Sequence, residues 1–219
     1  MTHSTDKNST GFGFYEGYIS VVYGLVATDG LEQLGPVGTA DPLRFGIPPA
    51  LLLFFGVFVI GLHFWFTCVS VDKTSGDLYC ALAGDRWKLI FFFVDAMVST
   101  AFAWLVLAMF RGIATGRGLL FWWFLAAAGL SLVYDGYSSI LLLICRRRRE
   151  EHSSAARTHY GTIIKHWFLQ DGLFLLGAGS LCVLAKYTSS GFLDVWFVAI
   201  AIVVLMLDVK FHPGAEAKS

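Results

Sequence analysis

The sequence predicts an all-α polytopic membrane helix bundle of about six transmembrane helices, and three observations carry that reading. Hydrophobic residues make up 56% of the 219-residue chain, charged residues only 15%, and the mean hydropathy is +0.65, unlike an ordinary water-soluble domain. Apolar residues gather into stretches near 15–35, 48–71, 87–111, 118–145, 166–187 and 190–209, each close to the roughly 20 residues that cross hydrocarbon as a helix. Short polar or glycine-containing joints separate them. The expected plan is a polar tail at 1–14, one transmembrane domain over 15–211 and a second tail at 212–219.

Taken in order, the first stretch is the least apolar, because Glu16, Asp29 and Glu32 interrupt it. Its near-span length favours a helix that crosses the membrane with its polar stripe sheltered by neighbours. A helix lying in the interface is the other reading. After the loop "GPVGTADPLRFGIPP", Pro48 and Pro49 suit the first turn of the second helix, where a missing N–H costs nothing. The third stretch carries Asp95 behind three phenylalanines, and the fourth opens on the aromatic anchor "LLFWWF" and carries Asp135. The fifth carries Asp171. The sixth ends on Asp208, which lies two residues from Lys210 and is expected to reach the interface.

Charge placement orients the bundle. With the Arg146, Arg147, Arg148 and Arg149 run on the cytoplasmic side, alternation of six spans leaves only Arg44, Arg111, Arg117 and Lys186 outside, of 16 Lys and Arg in all. That follows the positive-inside bias and places both termini in the cytoplasm. The same four arginines suit a topology anchor or an anionic lipid-headgroup contact. An acid near the start of each odd helix (Glu16, Asp95, Asp171) and a polar group near the end of each even one (His63, Asp135, Asp208) are consistent with three helical hairpins.

Depth decides which polar groups need a function. At about 1.5 Å per residue, Asp95 lies roughly 10 Å inward of Lys88 and Asp135 roughly 16 Å inward of Arg146. A carboxylate near the bilayer centre costs about 2.5–3.5 kcal/mol, so these acids must face protein or water. Ser131, Asp135, Ser138 and Ser139 share one helical face, and Asp95 with Ser99 begins a similar one. The opposite faces, rich in Phe, Leu, Val and Trp, are expected to meet lipid. Small-residue runs at Ala126–Gly129 and Gly177–Ser180 are expected to be close-packing sites.

Enzyme signatures fail. The four cysteines form no C-x-x-C, and no H-E-x-x-H, Walker loop or G-x-S-x-G occurs, so no metal site, cofactor or identifiable catalytic residue is expected. A net charge of zero gives no reason to expect a nucleic-acid partner. The leading expectation is a small channel or transporter, an integral multi-pass membrane protein. Asp95, Asp135, Asp171, Glu16, Glu32 and His63 would line its path for a cation or proton through a cavity open to the cytoplasm. The alternative is an intramembrane enzyme acting on a lipid or isoprenoid substrate with an Asp as general acid. A non-catalytic subunit or sensor is third. Besides the lipid bilayer, a homo-oligomer or a membrane partner is expected, because six helices make a small pathway.

Overall fold

The computed structural model describes residues 9–34, 49–82, 85–149, 155–188 and 190–211. They form six helices: α1 (Ser9–Leu34), α2 (Pro49–Leu82), α3 (Asp85–Thr115), α4 (Arg117–Arg149), α5 (Ala155–Leu184) and α6 (Ser190–Phe211). Five of these, α2 to α6, contain stretches long and apolar enough to cross a membrane. α1 is not among the five, and its interrupting acids and glycines are the reason. Pro49 opens α2, as its fixed φ and missing donor allow.

Helices α2 to α6 close a five-membered ring in chain order, each packing on the next and α6 packing back on α2. α1 lies against α2 and α3. Consecutive helices do pair as hairpins, but a ring of five with an added helix is not a threefold arrangement of three hairpins.

The ring closes because each helix carries a stripe at 3.6-residue spacing that it buries. In α2 the stripe is Leu53, Val57, Ile60, Phe64 and Cys68; in α4 it is Phe121, Phe124, Ala128, Ser131, Asp135 and Ser138; in α6 it is Asp194, Phe197, Ala201 and Val204. Large apolar side chains such as Met97, Trp122, Val133, Leu176 and Met206 point outward. An apolar exterior around polar stripes suits a lipid solvent, where packing and interhelical hydrogen bonds associate the helices.

Glycines set the closest approaches. A Cβ added at Gly56 would sit 2.5 Å from the Phe197 ring, and one at Gly177 2.9 Å from the Ile200 side chain, so α2 and α5 both press on α6 there. Gly177 thus acts as expected, and Ala127 and Ala128 are fully buried, but Gly129 and Gly179 face open space. The α3–α4 joint is the single residue Gly116, at φ +148°, whose N–H bonds the Gly112 carbonyl at 2.9 Å. Gly116→Ala should cost about 1–3 kcal/mol through backbone strain alone, since no atom stands within 4 Å of the new Cβ. A thermal unfolding midpoint in detergent equal to wild type would refute this.

Candidate functional site: a buried acid–imidazole cluster

Four ring helices bring their polar groups together toward the end that carries the arginine run. α4 supplies Ser131 and Asp135, α5 supplies Gln170 and Asp171, α2 supplies His63 and α6 supplies Asp208. Ser131 Oγ donates to Asp171 Oδ1 at 2.7 Å, and Asp135 is an electrostatic neighbour of Asp171. His63 Nδ1 bonds Asp208 Oδ2, and Gln170 Nε2 donates to Asp208 Oδ1 while lying 3.5 Å from His63 Nδ1. The two halves are electrostatic neighbours, because Asp171 feels both His63 and Asp208, and Asp135 feels Asp208.

These groups are enclosed. His63 and Asp171 are each 2% exposed and Asp135 5%, whereas Asp208 is 12% exposed at its side chain. Enclosure leaves His63 Nε2, Asp135 Oδ1, Asp171 Oδ2 and the hydroxyls of Ser138 and Ser139 without a hydrogen-bond partner among the described residues. Buried polar atoms rarely go unpaired, so so many together are the most unusual feature of the bundle.

Asp95 forms a neighbouring branch. Tyr134 Oη donates to its Oδ1 at 3.1 Å, and Ser99 Oγ, 2.8 Å from the Asp95 carbonyl, also reaches Cys68 Sγ at 3.3 Å. Tyr134 precedes Asp135 on α4, which links the branch to the cluster.

Of the remaining candidates, one is described at its side chain. Glu32 is exposed on α1. The side chains of Glu16 and of Arg146, Arg147, Arg148 and Arg149 lie outside the described residues, although their backbones belong to α1 and α4.

The structure adds partners that spacing did not give. Asp208 closes the apolar stretch of α6 and also meets His63, because α6 packs along α2. Gln170 had drawn no attention, and its signal was its place beside Asp171 at the start of the buried α5 stripe. The phenylalanines do not all face lipid. Phe64, Phe102, Phe124, Phe174 and Phe197, one from each ring helix, are fully buried and form a connected layer. Phe64 stacks on Phe102 at 4.2 Å between centroids, Phe124 meets Phe174 at 5.0 Å and Phe197 at 4.8 Å, and His63 meets the Phe174 edge at 5.5 Å. The layer adjoins the polar cluster through the contact of His63 with Phe174.

On the far side of that layer, Arg117 Nε and Nη2 donate to Asp194 Oδ1 and Oδ2 at 2.8 and 2.9 Å. Asp194 is fully buried, so this planar fork fastens the start of α4 to α6.

Two apolar cavities lie away from the acids. One of about 330 Å³ lies among α1, α2 and α3, lined by Tyr23, Gly24, Phe58, Gly61, Trp65 and Phe110. Another, of about 560 Å³, opens along α1 and α3 at Tyr18, Met97, Thr100 and Trp104. Both linings are almost wholly apolar and include none of the acids. Among the described residues, no group of three or more His, Cys, Asp and Glu is arranged to hold a metal ion. No protein-family model, curated protein or solved structure matches the chain.

Proposed function

We propose that this is a small multi-pass membrane transport protein that carries a cation or a proton through the His63–Asp208 and Asp135–Asp171 cluster. The observation that carries the reading is the convergence of four ionisable groups from four helices, enclosed yet with acceptor atoms unfilled. Intramembrane ionisable groups of this kind mark ion pathways and proton relays. The connected phenylalanine layer suits a transporter at rest better than an open pore, since a path across it requires the rings to move. The charge bias supports an orientation with the arginine run and the C-terminus cytoplasmic, which sets the cluster on the cytoplasmic half; α1 as a sixth span, supported by its near-span length, would bring the N-terminus to the same side. Assembly with further copies would widen the path.

The enzyme reading, with Asp135 or Asp171 as general acid on a lipid or isoprenoid, calls for a cavity that joins an acid to aromatic walls and opens sideways to lipid. The two apolar cavities beside α1 include none of the acids, so neither of them supplies that arrangement. The subunit reading would turn polar faces outward to a partner, whereas those of α4 and α5 meet inside the chain.

Proteoliposomes holding wild type or Asp135→Asn, under an imposed proton or monovalent-cation gradient, test the proposal. Wild type should carry flux, and Asp135→Asn should lose it while keeping its elution profile and unfolding midpoint. Equal flux in both would remove Asp135 from the path, and no flux in either would end the transport reading.

A further inference from the structure

We infer that the species handled by this cluster is a proton, taken up at Asp208, passed through the His63 imidazole and delivered to the Asp171–Asp135 pair. This rests on the transport reading above and names its substrate.

Accessibility gives the direction. Asp208, in the last turns of α6, is the most exposed member of the cluster at 12%, and the groups behind it are 2–5% exposed. A proton therefore meets Asp208 first. Its Oδ1 accepts from Gln170, which leaves Oδ2, the atom bonded to His63 Nδ1, as the one that can take the proton and pass it on.

Chemistry at each atom favours a proton over a metal cation. An alkali ion exchanges its hydration shell for several convergent oxygens. Here one oxygen of Asp171 is held by Ser131, and both oxygens of Asp208 are held by Gln170 and His63. What remains unfilled is a set of single atoms, one of them the imidazole nitrogen Nε2, and imidazole suits transition metals rather than hard cations.

The transfer balances in two steps. The Asp208 Oδ2–H bond breaks as a bond to His63 Nδ1 forms, giving an imidazolium beside a carboxylate. The Nε2–H bond then breaks as an O–H bond forms on Asp171 Oδ2 or Asp135 Oδ1 across a bridging water, and His63 is neutral again. Half a turn of the ring exchanges its nitrogens and resets it. Among the described residues, the titratable groups around His63 are Asp208 from α6, Asp171 from α5 and, behind it, Asp135 from α4, while Asp95 from α3 accepts from Tyr134.

The test uses the full chain in proteoliposomes with a pH-sensitive dye inside and sodium- and potassium-sensitive dyes in parallel samples, comparing wild type, His63→Gln and Asp208→Asn. Wild type should move protons and neither metal ion. His63→Gln keeps a side-chain donor near Asp208 but no basic nitrogen, and should lose proton flux by roughly 100-fold or more; Asp208→Asn should fall likewise. Wild-type infrared spectra across a pH step need no variant, and should show carboxylic C=O bands that shift in heavy water and vanish on deprotonation. Sodium or potassium flux without proton flux would overturn the proton assignment while leaving transport standing. Absence of any flux would overturn both. Proton flux unchanged in both variants, or no titrating carboxylic band, would overturn the relay.

Discussion

Arg117→Leu should lower the stability of the bundle by about 3–5 kcal/mol, the range for breaking a buried ion pair from one side. The reason is asymmetry: Asp194 is fully buried and both of its oxygens are filled by the guanidinium, whereas the Arg117 side chain is 37% exposed. Without the arginine an acid is left enclosed with two unmet acceptors. Asp194→Leu should cost less, because the freed arginine can turn toward water at the helix end. The double variant should recover part of the Arg117→Leu loss, since two apolar groups leave no charge stranded. Chemical unfolding in detergent checks the order, and an Arg117→Leu protein as stable as Asp194→Leu would contradict it.

Gly112→Ala should destabilise by about 1–3 kcal/mol despite the better helix propensity of alanine. The added Cβ would sit 2.9 Å from Leu120 Cα and 3.0 Å from its backbone nitrogen, and a backbone cannot rotate away as a side-chain tip can. The cost therefore falls on the α3–α4 crossing, one turn from the Gly116 joint. Gly24→Ala on α1 is the control: nothing lies within 4 Å of its Cβ, so it should be neutral or stabilising by up to about 1 kcal/mol. The two unfolding midpoints should shift in opposite directions. A fall in both would trace the loss to glycine's place in helices generally and not to this contact.

Sequence and structure agree most closely where the physics is local. Asp135 with Ser131, Ser138 and Ser139 on one buried face follows from 3.6-residue spacing, and all four are buried. Asp95 and Asp171 are enclosed for the same reason. The His63 partner of Asp208 was not legible, because closeness to Lys210 along the chain says nothing of what packs against α6 from 145 residues away. The phenylalanines misled in a related way. A ring that faces lipid and a ring that faces other rings have the same hydropathy, so Phe64 and Phe197 cannot be told by composition from the exposed Phe93 or Phe192. The Arg117–Asp194 fork joins residues whose separate positions near helix ends invite the reading of ordinary interfacial charges.

What the sequence determined by itself is the class of environment, the six helical segments, of which α2 and α5 run well beyond the predicted stretches, and the buried face of Asp95, Asp135 and Asp171, because these depend on neighbours within a turn or two. The tertiary structure decided the partners: His63 with Asp208, Asp171 with Ser131 and Asp135, five phenylalanines in one layer, and α1 placed against α2 and α3 with five helices in the ring. The physical reason is that partner choice depends on which stripes meet when helices distant in the chain pack, and no local period carries that information.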